Sequence, residues 1–168
     1  MSTVDTQAPT VTLTVASQPE DRAAAATLFQ EYADSLGIDL RFQGFEAELS
    51  TLPGEYSPPR GCLLLAWVGD ALAGCCALRP LDNCDYPIAG EMKRLYVRKA
   101  FRAFGIGREL AEAALDAARQ IGYTSVLLDT LDDMEAARAL YTDLGFVEIA
   151  PYYHNPLHGS HYLKVDII

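Results

Sequence analysis

Apolar positions along the chain switch between a period of two and a period of 3.6 residues, and the switches mark out the elements. Val11, Leu13 and Val15 alternate with Thr12, Thr14 and Ala16, which predicts a first strand. Ala25, Leu28, Phe29, Tyr32 and Leu36 then recur at helical spacing; Ser17-x-x-Glu20 reads as a capping box before them and Gly37 as the left-handed stop. The pattern weakens from Ile38 to Arg60, with a short helix about Phe45 to Leu49 and a loop marked by Pro53, Gly54, Pro58 and Pro59. Leu63 to Val68 and Leu72 to Leu78 predict two strands joined at Gly69-Asp70. The run from Gly61 to Leu78 holds a single charge, but Gly69-Asp70 splits it, so it reads as a hairpin and not as a membrane span. A turn-rich stretch from Pro80 to Pro87 leads into a strand from Ala89 to Val97.

Arg108 to Ile121 is an amphipathic helix, with Leu110, Ala114, Leu115, Ala118 and Ile121 facing inward and Gly122 as its end signal. Val126 to Asp129 reads as a short buried strand. Asp132-x-x-Glu135 opens a further helix that carries Ala137, Leu140 and Tyr141 on one side and stops at Gly145. Phe146 to Ile149 and Tyr162 to Ile167 are the last two strands. The predicted order is β-α-α-β-β-β-α-β-α-β-β. It implies a mixed α/β (α+β) fold whose central, mostly antiparallel sheet of six or seven strands carries helices on both faces. No repeat or linker interrupts it, so the chain reads as one domain over residues 11–168 behind a flexible N-terminus, residues 1–10.

Composition narrows the function. The chain has 168 residues, with 13 Lys and Arg against 23 Asp and Glu, a net charge of −10. So acidic a body repels phosphate backbones, which argues against nucleic-acid binding and favours cationic partners. The N-terminus lacks the basic start and apolar core of a targeting peptide. Cys62, Cys75, Cys76 and Cys84 form no CxxC pair, and the adjacent Cys75 and Cys76 point to opposite faces of a strand; they read as reduced thiols of a cytoplasmic protein. A Cys-dependent enzyme remains an alternative, without a His-containing motif beside any of them.

The charge is unevenly placed. Between positions 93 and 108 lie six basic residues (Lys93, Arg94, Arg98, Lys99, Arg102 and Arg108) and no acid. Within them, Arg102-Ala103-Phe104-Gly105-Ile106-Gly107 falls between a strand and a helix. Glycines at i and i+2 let the backbone approach a ligand, and the helix start adds unpaired N–H groups, so this turn suits a phosphate or pyrophosphate. It is neither a Rossmann fingerprint, since Leu110 stands where a third glycine belongs, nor a P-loop, since Arg108 and Glu109 follow Gly107.

Arg102, Gly105 and Gly107 after a strand, with Leu140-Tyr141 and Gly145-Phe146 further on, resemble the GNAT superfamily of acyl-CoA-dependent N-acyltransferases. The resemblance covers residues 11–168 and implies acetyl-CoA as co-substrate, with no metal. It implies that backbone N–H groups from Phe104 through Gly105 and Ile106 to Gly107 hold the coenzyme pyrophosphate, with Arg102, Ala103 and Arg108 flanking. It implies that Leu95, Tyr96 and Val97 line the pantetheine arm, and that the Leu95 N–H polarises the thioester carbonyl. Tyr141 would be the acid on the thiol side. Glu91, at a strand end and partly desolvated, would be the base, with its pKa raised. Met134 stands where many relatives carry a coenzyme-contacting Asn, and packing against the pantetheine is the substitute.

The acceptor walls would come from Leu36 to Glu55 and Tyr152 to His161. The latter stretch holds three histidines but no carboxylate or Cys, which argues against a metal site. The expected activity is acetyl transfer to a primary amine of a small molecule or peptide by direct attack on the thioester, in a cytoplasmic monomer or homodimer with no membrane partner. The alternative is a non-catalytic acyl-CoA-binding module that regulates another protein.

Overall fold

The computed structural model describes residues 10–37, 44–131, 134–153 and 159–167. Seven strands form one sheet: β1 (Val11–Val15), β2 (Cys62–Val68), β3 (Ala71–Leu81), β4 (Ala89–Val97), β5 (Ser125–Leu131), β6 (Val147–Ile149) and β7 (Ser160–Asp166). Four helices complete it: α1 (Pro19–Leu36), α2 (Phe45–Thr51), α3 (Ile106–Ile121) and α4 (Glu135–Asp143). The strand order is β1-β2-β3-β4-β5-β7-β6, antiparallel throughout except for the parallel pair β4 and β5. This is the mixed sheet and the element order expected from the apolar pattern.

Two cores follow from strand alternation. Leu64, Cys76, Leu78 and Met92 turn to the face covered by α3 and by Tyr141 of α4. Leu63, Leu65, Cys75 and Ala77 turn to the opposite face, under Leu28 and Phe29 of α1 and Phe45 of α2. Cys75 and Cys76 therefore separate to opposite faces, as adjacent strand residues must.

Three local details differ from the expected boundaries. The helix expected to begin at Ser17 begins at Pro19, and its cap uses Asp21, not Glu20: the Asp21 carboxylate accepts from the backbone N–H of Ser17 and of Gln18, each at 3.1 Å. Proline at the first helical position has no N–H to satisfy, which shifts the cap by one residue. Strand β3 runs on through Pro80 to Leu81, where a turn was expected. The β2 pairing ends at Leu78, so Pro80 lies on a locally free edge where its missing donor breaks no ladder bond on that side. The six-residue start of the basic turn, Lys99–Phe104, is a 3-10 helix. Residues 1–9, Asp132 of the second capping box and residues 154–158 of the histidine-bearing stretch lie outside the described residues.

Strand β4 places the site. Lys93 faces Ala77 and Tyr96 faces Cys75, so Arg94 and Leu95 together oppose Cys76, and Arg94 has φ +60°. This is a β-bulge, which bends the strand and re-aims the side chains after it. Gly74 accommodates the bend: a Cβ there would lie 2.6 Å from the Tyr96 carbonyl oxygen. Beyond the parallel pairing of Ala89, Gly90 and Glu91 with Ser125, Val126 and Leu127, β4 leaves β5, while β5 continues beside β7 to Leu131. The sheet opens into a V at Leu95–Val97.

Candidate active site

A cleft of about 500 Å³ lies in that opening, lined by Leu95, Tyr96 and Val97 of β4, Arg102, Gly107, Tyr32, Ser35 and Leu36 of α1, and Met134 to Ala137 with Leu140 at the start of α4. Because the pairing with β5 stops at Glu91, the β4 edge there has no ladder partner on that side among the described residues and can take an extended ligand as an added strand. Gly105 caps α3 at φ +71°, a left-handed conformation that glycine adopts without strain. Ile106 is buried and anchors the helix start, Ala103 and Phe104 are exposed, and Gly107 opens on the cleft. Leu95, Tyr96, Val97, Arg102, Gly107 and Met134 are thus brought together around one cleft.

The other expected residues are placed differently. Arg102 does not reach outward as a free cation: its Nε–H donates to the Val97 carbonyl at 3.0 Å. Arg108 pairs with Asp143 at 2.8 Å and with Glu112 at 3.7 Å. Arg94 pairs with Glu48 at 2.9 Å, Arg98 with Glu31 at 2.7 Å, and Lys93 stands 4.0 Å from Glu91. The basic run is therefore largely neutralised by acids from other elements; among the described residues, Lys99 and Arg102 lack a carboxylate partner. Sequence distance concealed this, since Glu31 and Glu48 arrive from α1 and α2.

Glu91 is not the partly desolvated strand-end carboxylate that was expected. Only 1% of it is exposed, and it accepts from Arg79 Nε–H and from the Tyr152 hydroxyl, each at 2.7 Å. Burial alone pushes its pKa up, but the adjacent Lys93 and Arg79 charges and the Tyr152 hydroxyl outweigh it and hold the carboxyl below its usual range. The expected raised value is thereby reversed. Arg79 reaches on to Glu55 at 2.9 Å. Nearby, Glu48 takes both Arg94 and the Tyr56 hydroxyl, and Tyr153 donates to Asp129 at 2.6 Å. Arg79 was missed because its strand was read as ending at Leu78; a period-two continuation from Ala77 would have found it on the Glu91 face.

Tyr141 is buried, packs its ring on Phe146 at 5.5 Å between centroids, and is not among the cleft-lining side chains, although its neighbours Ala137 and Leu140 are. Burial first, then the Tyr32 phenol, Cys76 and Asp129, raise its pKa well above that of free tyrosine. Met134, at the N-cap of α4, lines the cleft and lies 3.7 Å from the Thr130 hydroxyl. The sequence reading missed Tyr32, whose place in the α1 apolar stripe made it look like a core residue.

Cys62, Cys75 and Cys76 are buried, and burial raises each thiol, which removes the thiolate a Cys-dependent enzyme requires. Among the described residues, no three His, Cys, Asp or Glu side chains are grouped to hold a metal ion, and no helix is long and apolar enough to cross a membrane.

The fold as a whole recurs in known proteins. A crystal structure of a GNAT-family acetyltransferase from Staphylococcus aureus superposes with a TM-score of 0.76 at 18% identity, covering 95% of this chain and 100% of that one. A Salmonella typhimurium structure, solved with its cofactor acetyl-CoA, superposes with a TM-score of 0.66 at 18% identity, covering 94% of each chain. A Schizosaccharomyces pombe protein named as an uncharacterized N-acetyltransferase is 36% identical over 159 residues, 94% of this chain and 95% of its own length. The model of the acetyltransferase (GNAT) family matches residues 25–146. The chain belongs to the GNAT family and is an acyltransferase.

Proposed function

We propose that the protein transfers the acetyl group of acetyl-CoA to a primary amine of a small molecule or peptide, by direct attack of the amine on the thioester. The observation that carries this reading is the detached β4 edge at Leu95–Val97, opening on a cleft with Gly107 at one end and the start of α4 on the far wall. An extended pantetheine amide chain fits such an edge, and the Salmonella relative's acetyl-CoA supports the same ligand here. Leu95 and Val97 pair with the arm, with Tyr96 between them, and the Leu95 N–H faces the thioester oxygen as charge develops. The N–H groups from Phe104 through Ile106 to Gly107 take the pyrophosphate beside Ala103, with Arg102 and Arg108 at its flanks. Met134 packs on the arm.

Glu91 is the acceptor-side base. Ionised throughout the neutral range, it is a weak base, so it acts on a nitrogen already bonded to the acyl carbon, whose proton is far more acidic than that of the free ammonium. Tyr141 is the proton source for the departing thiolate. The acidic body favours a cationic acceptor. Four cysteines without a disulfide support a cytoplasmic setting, and a domain over residues 11–168 acting as a monomer or homodimer suffices for this chemistry.

The test is thiol release from acetyl-CoA over a panel of spermidine, an aminoglycoside and a lysine peptide. Turnover with any of them is expected. Coenzyme A binding without turnover across a broad panel would instead make the protein a regulatory acyl-CoA-binding module.

A further inference from the structure

The cleft runs between two side walls. Met134, Ala136, Ala137 and Leu140 form the wall at the start of α4; Tyr32, Ser35 and Leu36 of α1, with Tyr96 of β4, form the other. Tyr32 is the bulkiest side chain that α1 contributes to this lining. The hydroxyls of Tyr56, Tyr96, Tyr123, Tyr152 and Tyr153 each donate to a defined acceptor, whereas that of Tyr32 has no hydrogen-bond partner among the described residues. Packing alone therefore sets the place of the Tyr32 ring, and what the ring offers the cleft is a surface.

That surface is firmly held. The Tyr32 ring meets the Tyr96 ring edge-on, with centroids 6.1 Å apart. The Tyr96 hydroxyl donates to Glu31 Oε1 at 3.3 Å, and Arg98 grips the same carboxylate, Nε–H to Oε1 at 3.0 Å and Nη2–H to Oε2 at 2.7 Å. Glu31 immediately precedes Tyr32, so the ion pair that ties α1 to the residue after β4 also holds the backbone that carries the ring. A ring packed on a tethered helix does not swing aside cheaply. Its direction follows from its surroundings. Arg94 of β4 and Asp129 of β5 both bear on the Tyr32 phenol, one from each strand of the split pair. The ring thus reaches from α1 past Leu95 toward the inner corner where the two strands part.

We propose that Tyr32 sets the acyl-chain specificity of the enzyme, its ring forming an end wall just past the thioester that admits acetyl and turns longer chains away. This rests on the acetyl-transfer reading above, in which the arm enters over Gly107, runs along Val97 and Tyr96, and presents its thioester at the Leu95 N–H. Whatever the acyl carbon carries then points onward from Leu95 to the Tyr32 ring. A methyl group fits between them. Each further methylene has to displace a ring braced by Tyr96 and, through Glu31, by Arg98, and forcing extra methylenes into a filled space is unfavourable. Because the hydroxyl holds nothing in place, the ring's bulk and not its oxygen carries the discrimination.

The experiment measures kcat/KM for acetyl-, propionyl- and butyryl-CoA with the fastest amine of the panel, in the parent, Tyr32→Phe and Tyr32→Ala. The parent should lose about 100-fold from acetyl- to butyryl-CoA. Tyr32→Phe keeps the ring and should keep that ratio within about threefold, whereas Tyr32→Ala should bring butyryl-CoA to within about threefold of acetyl-CoA. Affinities for the three thioesters, read by calorimetry without an amine, should fall with chain length in the parent and level out in Tyr32→Ala. A parent that turns over or binds acetyl- and butyryl-CoA alike, or a Tyr32→Ala variant that keeps the parent's gap, overturns the end wall and leaves acetyl transfer standing. A Tyr32→Phe variant as permissive as Tyr32→Ala overturns it too, by assigning the discrimination to the hydroxyl. A parent inactive with every thioester and amine overturns the acetyl-transfer reading, and the wall with it. Should Tyr32→Ala fail to fold, Tyr32→Val, which keeps an apolar stem in the α1 stripe, takes its place with the same outcomes.

Discussion

Arg79 and Glu91 face each other across β3 and β4, guanidinium on carboxylate at 2.7 Å, with the acid all but sealed from water. Lys93 and the Tyr152 hydroxyl complete the surroundings of that carboxylate. A charge so placed is expensive to bury and costly to leave alone. Its neighbours therefore determine both how it titrates and how far the fold depends on it.

Glu91→Gln removes the charge that Arg79 and Lys93 share and should lower stability at neutral pH by about 3 kcal/mol. The folded carboxyl titrates below the 4.5 of a free glutamate. Its contribution is thus fully present above that value and is lost as pH falls through the lower folded pKa. Urea melts at pH 7 should show a wide gap between parent and variant that closes toward pH 3. An equal gap at both would mean that the carboxylate is not coupled to its cations.

Two glycines separate coenzyme binding from folding. A Cβ at Gly107 would meet Val97 and Leu140 at ordinary contact distances of 3.8 and 3.9 Å, so Gly107→Ala should melt within about 3 °C of the parent. The new methyl projects into the cleft, however, and coenzyme A affinity should fall about tenfold or more, measured by calorimetry. Gly74→Ala should lose both properties, because its Cβ strikes the Tyr96 carbonyl oxygen behind the bulge. A Gly107→Ala variant with parental affinity would place the coenzyme elsewhere.

The order of elements was legible because the periodicity of apolar residues depends on which face is buried, and α1, α3 and the β2–β3 hairpin each bury one face cleanly. The glycine turn was legible because its conformational demand is local. What sequence spacing could not carry was long-range pairing. The six basic residues looked like a phosphate-seeking patch, yet Glu31 and Glu48 cross from α1 and α2 to claim Arg98 and Arg94. Tyr32 and Arg79 were hidden for a related reason: a tyrosine in an apolar stripe reads as core and an arginine just before a proline reads as turn, whereas the Tyr32–Tyr96 ring contact and the Arg79–Glu91 pairing join residues far apart in sequence.

Alkylation separates the cysteines. Cys84 is the more accessible of the four, with Sγ 3.3 Å from the Tyr86 carbonyl, while burial suppresses the thiolates of Cys62, Cys75 and Cys76. Iodoacetamide on the native protein should modify Cys84 alone and leave acetyl transfer intact; in urea all four should react. Mass spectrometry with a parallel activity assay checks this. Loss of activity in step with modification of Cys75 or Cys76 would revive a thiol mechanism.

Lys93 is a buried charge with little in return. Its side chain is 5% exposed, its nearest carboxylate oxygen is 4.0 Å away on Glu91, and among the described residues its ammonium makes no hydrogen bond. Burial lowers its pKa more than the Glu91 and Asp129 charges restore it, with Arg94 and Arg79 adding to the fall. For a base whose folded pKa is depressed, the penalty is complete below the folded value and vanishes above the unfolded one, here 10.5. Lys93→Met keeps the aliphatic length and deletes the charge, so it should stabilise the protein at pH 7 by about 1 kcal/mol. The gain should shrink as pH rises toward 10.5 and vanish above it, where the parent lysine is neutral in both states. Thermal melts of both proteins from pH 7 to 10 measure the trend. A variant less stable than the parent at pH 7 would mean that the pull of Glu91 on the ammonium exceeds the cost of burying it.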